Sequence, residues 1–226
     1  MYKKCNAYIG KNNPEIKSSR FIVNTDEKKT ECLLKFPNYW WSRGYEYAWA
    51  SNFLEKNDTC LDAACGIPHP FKFYLASVCK NVYACDIDTD ILDENKILSE
   101  VGKCFDEEDV KKAVNYISKI NFSNSNLTNL PYGDNKFDKI YCISVLEHLS
   151  DHDKENGINE FYRVLKKDGL LVLTVDYPTV DLNLLTSKLK KAGFKFVDSI
   201  NCDICPNAIY SKVSGGLYCF RLLLRK

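Results

Sequence analysis

Two carboxylates and the turn of small residues between them supply the first chemistry in this chain. In Thr59–Asp88, TCLDAACGIPHPFKFYLASVCKNVYACDID, an apolar run holding Asp62 meets the turn Cys65-Gly66-Ile67-Pro68, and a second short run ends in Asp86. A carboxylate that ends a strand can accept two hydrogen bonds from neighbouring hydroxyls, as a ribose presents them. A small-residue turn beside it lets the backbone approach a ligand closely. Farther along, His148 and Asp176 each follow an apolar run. A neutral imidazole there can take a proton from a hydroxyl, and a carboxylate can orient it or bind an acceptor's hydroxyls. Upstream, Arg43 stands among the aromatics of FPNYWWSRGYEYAWASNFL, Phe36–Leu54, which holds all three tryptophans. Aromatic rings with polar tips suit ligand clefts, and equally suit packing on a sheet edge.

The elements that must position these residues follow from periodicity. The pattern predicts a strand over Thr59–Ala64, a helix over Pro70–Cys79 and a strand over Asn81–Cys85. A helical stripe (Ile91, Leu92, Ile97, Leu98, Val101) follows, then a helical turn or two over Asp106–Asn115 and a strand over Tyr116–Phe122. Strands are predicted at Lys139–Ile143, Leu170–Val175 and Leu217–Leu224, with helices at Ile158–Leu165, capped by Gly169, and at Leu182–Lys191. A helix is expected over Tyr45–Glu55, and the polar, lysine-rich stretch up to Glu31 reads as loop or a loosely packed arm. Alternation of strand and helix points to an α/β fold with a parallel sheet, where ligands sit beyond the carboxyl ends of the strands.

Composition excludes several classes. The chain has 226 residues, enough for one sizeable domain, and a net charge of +1 from 31 basic and 30 acidic residues. That balance offers no field for nucleic acid or an anionic membrane. No apolar run reaches the length of a membrane span, and the start MYKKCNAYIGKNN lacks a signal-peptide core, so a cytoplasmic protein is expected. Eleven cysteines, an odd number with Cys60, Cys85, Cys142 and Cys219 inside predicted strands, read as buried thiols rather than a disulfide framework. Cys202 and Cys205 form a single CxxC with no histidine near it in sequence, so no metal site is assigned.

The turn also discriminates between nucleosides. A dinucleotide would want further glycines to seat a pyrophosphate, but Ile67, Pro68, His69 and Pro70 follow Gly66, and proline offers no N–H. A cofactor without phosphates fits better. Asp62, Ala64 and Gly66 fall on motif I of the class I S-adenosylmethionine (SAM)-dependent methyltransferases, which the stretch resembles with only Gly66 a true glycine. NLTNLPYGDNKFDKIYCISVLEHL, Asn126–Leu149, resembles a longer run of the same superfamily, in the type 11 manner, and FYRVLKKDGLLVLTV resembles its later helix and strand. SRGYEYAWASNFL is most similar to bacterial members associated with sugars or secondary metabolites.

The resemblance implies a doubly wound, Rossmann-like sheet of seven mostly parallel strands with an antiparallel final strand. It would span residues 59–226, behind an N-terminal helical extension or lid at residues 1–58. It implies SAM as cofactor, held by Arg43, Tyr47, Asp62, Ala64, Cys65, Gly66, Asp86, Ile87, Asn126, Leu127 and Ile143. His148 and Asp176 are the expected catalytic pair, with Glu147, Tyr177 and His152 in reserve. The expected reaction is methyl transfer to a small-molecule or sugar acceptor, most readily at oxygen; oligomeric state is left open. A SAM- or nucleoside-binding partner protein without activity is the alternative. A nicotinamide oxidoreductase is disfavoured by the prolines.

Overall fold

A computed structural model describes residues 14–226; the N-terminal MYKKCNAYIGKNN lies outside them. In chain order the elements are β1 (Ser19–Phe21), β2 (Glu31–Cys32), β3 (Leu34–Lys35), α1 (Arg43–Ala50), β4 (Thr59–Ala63), α2 (Phe71–Val78) and β5 (Asn81–Asp86). Then come α3 (Glu94–Cys104), α4 (Glu107–Ile117), β6 (Ile120–Asn124), β7 (Phe137–Ile143), α5 (Asp151–Val164) and β8 (Leu165–Tyr177). The chain closes with α6 (Leu182–Lys191), β9 (Lys195–Phe196), β10 (Ile200–Asn201), β11 (Tyr210–Ser211) and β12 (Leu217–Arg225).

The sheet runs β10-β1-β12-β8-β7-β4-β5-β6, with the short β9 and β11 also paired to β12. From β8 to β6 every neighbour is parallel, whereas β12 is antiparallel to β8. Strand order reverses between β4 and β7, because β5 and β6 are laid to one side of β4 and β7 to the other. At that reversal the following loops diverge and leave a crevice above the carboxyl ends.

Both faces of the sheet are covered. In β8, Leu171, Leu173 and Val175 pack with Phe161 of α5 and Leu185 and Leu189 of α6. Val172 points the other way, into a second core with Tyr141 of β7, Phe71 and Phe73 of α2, and Tyr47 and Trp49 of α1. This two-sided burial is why β7 and β8 read as nearly continuous apolar runs. Helix starts are marked by carboxylates or a hydroxyl. Asp93, Asp106, Ser150 and Asp181 each accept backbone N–H groups at the N-termini of α3, α4, α5 and α6.

The structure differs from the sequence-based expectation in several places. The stretch before Glu31 is not a loose arm throughout: β1 is fully buried and extends the sheet beyond β12, antiparallel to it. Arg20 fixes it by donating to both oxygens of Asp26, at 2.8 and 2.6 Å. Three residues are too few to show a period, and the strand exists because β12 on one side and β10 on the other offer it ladders. Tyr116 and Ile117 belong to α4, and the third parallel strand begins at Ile120. Gly169 does not cap a helix, since α5 ends at Val164 and the left-handed residue is Asp168, at φ 64°. Glycine is needed at 169 because a Cβ there would lie 2.9 Å from the Asp138 carbonyl oxygen. The sheet also has ten strands rather than seven, the additions being β1 and short edge pieces.

Candidate functional site

The crevice is floored by the turn after β4. Ala64 and Gly66 both take left-handed backbone, at φ 53° and 62°. For alanine this costs on the order of 1 kcal/mol, so the turn is imposed by its bonds rather than by its residues. The Cys65 N–H donates to the Cys85 carbonyl at 2.9 Å, and the Gly66 N–H to Asp86 Oδ2 at 2.8 Å. Asp86 Oδ1 accepts the Asp88 N–H at 3.0 Å. Asp86 thus ties the end of β5 to the turn, with lone pairs left on both oxygens. Asp88 caps the short helix that follows by accepting from the Asp90 N–H.

Asp62 lies behind the turn, with its Oδ2 buried and without a partner among the described residues. Burial pushes its carboxyl up to about 7, with Lys72 opposing and Asp86 adding to the rise. Lys72 is fully buried; its ammonium donates to the carbonyls of Gly66 at 2.6 Å and His69 at 2.7 Å. Burial lowers the Lys72 pKa. His69 folds over Gly66, stacks on Trp40 at 4.8 Å and lies 3.2 Å from the Tyr47 hydroxyl through Nδ1. Burial, with Arg43 and Lys72 adding, pulls His69 down to about 3, so the ring is neutral. Beyond β5, Ile87 is 70% exposed and offers a bare apolar surface, while Leu127 is buried beneath the loop. Asn126 Oδ1 accepts the Thr128 N–H at 3.0 Å and Ile143 is half-buried at the end of β7.

Beside the carboxyl ends of β7 and β8, α1 holds a buried charge that sequence reasoning overlooked. Glu46 of α1 is fully buried, and its Oε1 accepts from Ser144 Oγ at 2.5 Å and Thr174 Oγ1 at 2.6 Å, with Cys219 Sγ at 3.5 Å. Its Oε2 accepts from Arg43 at 2.5 Å. Burial alone would raise the Glu46 pKa, but Arg43 and the two hydroxyls hold it below the usual carboxylate value. The network pins α1 to the carboxyl ends of β7 and β8 and to the amino end of the antiparallel β12. Ser144 adopts φ 50° to reach it. Arg43, expected among the residues that hold the cofactor, therefore has Glu46 as its partner. Tyr47 is buried in the core, stacked on Phe71 at 4.9 Å.

At the far side of the crevice, His148 is exposed at the end of a short 3-10 turn, while its neighbour Glu147 is buried. Glu147 Oε1 accepts the Asp176 backbone N–H at 3.1 Å. The structure thus brings Glu147, rather than His148, alongside Asp176. Signals for the overlooked residues were faint. Glu46 lies three positions after Arg43, and Lys72 interrupts the apolar run FKFYLA. A cluster of possible metal ligands, Asp58, Cys60 and Cys79, lies at the opposite end of the strands, where Lys139 already donates to Asp58 at 2.5 Å. Among the described residues, no helix is long and apolar enough to cross a membrane.

A reversal of strand order, a small-residue turn above it and an acidic end to β5 define a Rossmann-like, nucleoside-binding fold of the class I methyltransferase kind. The family model described as "Methyltransferase domain" matches residues 61–173, half of the chain, and the chain belongs to that family, within the class I SAM-dependent methyltransferase superfamily. Over 92 residues it is 34% identical to the ubiquinone/menaquinone biosynthesis C-methyltransferase of Haemophilus ducreyi, a match covering 40% of this chain and 33% of that one. The matched stretch spans about a third of that relative's length. Among solved structures, the [4+2]-cyclase SpnF is similar at a TM-score of 0.60 and 17% identity, covering 82% of each chain. Magnesium protoporphyrin IX methyltransferase from Synechocystis with bound SAM is similar at 0.56 and 18% identity, covering 80% of this chain and 76% of that one. At such identities these likenesses concern the fold alone, and a cyclase among them shows that the fold hosts more than one chemistry.

The residues at the crevice fit SAM. The unpartnered Asp62 Oδ2 is an acceptor for an ammonium group, Asp86 keeps lone pairs for ribose hydroxyls, and Ile87 offers a face for adenine.

Proposed function

We propose that the protein transfers a methyl group from SAM to a small-molecule acceptor. The observation that carries this reading is the buried, unpartnered Asp62 Oδ2 beneath a turn whose N–H groups are already bonded to Cys85 and Asp86, in a chain of the methyltransferase-domain family. Asp62 and Asp86 would hold the cofactor's amino group and ribose, with Ala64, Cys65 and Gly66 against it, Ile87, Asn126 and Leu127 at the adenine, and Ile143 at the end of β7. When bound, SAM supplies a methyl group made electrophilic by its sulfonium. The chain's own residues align and shield: α1 and the segment Phe36–Leu54 roof the crevice, and Glu46 keeps that roof in place. Proximity and alignment supply most of the acceleration in such a displacement. Oxygen is the acceptor atom that the sequence favours, and Asp176 at the end of β8 would orient the acceptor or take its hydroxyl proton. His148 serves at the rim.

The test is SAM binding by calorimetry, together with S-adenosylhomocysteine (SAH) release over a panel of small-molecule acceptors. Micromolar SAM binding with acceptor-dependent SAH release supports the reading. Binding without release from any acceptor would favour an inactive binding protein, and no binding would sink both.

A further inference from the structure

Glu147 and Asp176 carry buried acceptors that nothing among the described residues satisfies. The Asp176 backbone N–H donates to Glu147 Oε1 at 3.1 Å, and the Asp176 carboxyl lies near enough to raise the Glu147 pKa. Glu147 is 8% exposed and its Oε2 has no partner; Asp176 Oδ1 is likewise buried and without one. Buried carboxylate oxygens are normally paired, as Asp26 is by Arg20 and Asp58 by Lys139. An orphan pair at the mouth of a crevice therefore points to a partner that comes from outside.

The surroundings define that partner. From α1 the pair is faced by Glu46 and Arg43, from β7 by Cys142 and from β12 by Cys219. Arg43 is engaged by Glu46, and both thiols are pushed far up by burial and so stay neutral. Arg43 acts on Glu46 and Asp176, and Glu147 adds a third carboxyl group with no cation of its own beside it among the described residues. Burial, with Asp176 and Glu46 adding, raises Glu147 to about 8; burial and Glu46 raise Asp176 to about 6, with Arg43 opposing. A ligand carboxylate or phosphate would add to the repulsion. A single hydroxyl brings one donor and no charge. A protonated amine brings two or three donors and the missing positive charge.

We propose that the acceptor is an amine-bearing small molecule whose protonated amino group docks between the Glu147 and Asp176 side chains. This rests on the methyl-transfer reading and narrows it, whichever atom of the acceptor is methylated. Glu147 and Asp176 then set which acceptor is recognised, while His148 lies outside the contact.

The test is calorimetry on the full chain saturated with SAH, using probes that differ only in ammonium against hydroxyl: tyramine with 4-(2-hydroxyethyl)phenol, and glucosamine with glucose. The amine of at least one pair is expected to bind about tenfold or more tightly than its hydroxyl counterpart. Glu147→Gln and Asp176→Asn should each abolish that preference. A merely structural Glu147 would leave Glu147→Gln less stable. Here the apo variant should melt higher than wild type above about pH 8, because the amide oxygen keeps the bond from the Asp176 N–H and leaves no buried negative charge to desolvate. The proposal is overturned by equal or tighter binding of the hydroxyl compounds in both pairs, by no amine binding in either, or by a preference that survives both substitutions. A separate SAH titration and the amine titrations repeated without SAH keep the two readings apart: SAH that fails to bind sinks methyl transfer, while the amine preference is read from the probe pairs alone.

Discussion

Replacing Glu46 by glutamine is the sharpest probe of how the roof is held. The amide oxygen can still accept from Ser144 and Thr174, now at 2.5 and 2.6 Å, but the amide nitrogen then faces the Arg43 guanidinium across 2.5 Å, donor against donor. Glu46 is fully buried and the Arg43 side chain is one-fifth exposed, so little water can relieve the clash. Breaking a buried pair and leaving one charge uncompensated costs about 3–5 kcal/mol, and the partial exposure of Arg43 argues for the lower end. For a chain of 226 residues the unfolding entropy is on the order of 0.5 kcal/mol per kelvin, so the melting temperature should fall by about 6–8 °C. Denaturant unfolding gives the free energy directly. A double-mutant cycle with Arg43→Met and Glu46→Met isolates the pair, and the apolar double variant should recover most of the loss. If Glu46→Gln unfolds within about 0.5 kcal/mol of wild type, the network does not carry the docking of α1.

Two further outcomes follow from the crevice. Asp86→Ala should weaken SAM binding by about 1.5–3 kcal/mol, roughly tenfold to a hundredfold by calorimetry, and wild-type affinity would remove Asp86 from the ribose site. The apo protein should also lose stability as pH rises from about 6.5 to 8, because Asp62 and Glu147, raised to about 7 and about 8, hold protons in the fold that the unfolded chain has already released. A raised carboxyl stabilises most below its unfolded pKa and loses that contribution as pH climbs through its folded one. Below about 6.5 His69, depressed to about 3, gives the opposite slope, since its neutral form stabilises above its unfolded pKa; the carboxyls are therefore read above that pH. Each such group contributes a slope of up to about 1.4 kcal/mol per pH unit, and Glu147→Gln should flatten the decline. Stability that is level or rising over this window in wild type would contradict the burial of these groups.

Much of the fold was legible in the sequence because it is local. Alternating apolar runs and helical stripes, acidic caps and the turn at Gly66 are set by neighbours a few residues apart. They located β4, α2, β5, β7, β8 and β12 to within a few positions, and motif spacing assigned Asp62 and Asp86 to the crevice. What tertiary structure decided is pairing over long distances in the chain. β1 is a strand because β12 and β10, about 180 to 200 residues away in the chain, pair with its two edges. Glu46 is a buried anchor only because Ser144, Thr174 and Cys219, separated from it by 98, 128 and 173 residues, converge on it. In His148 and Glu147 sequence offers two adjacent titratable groups, and the backbone at the end of β7 turns one outward and one inward. No local pattern encodes that choice, because a side chain's burial depends on which strands and helices close over it.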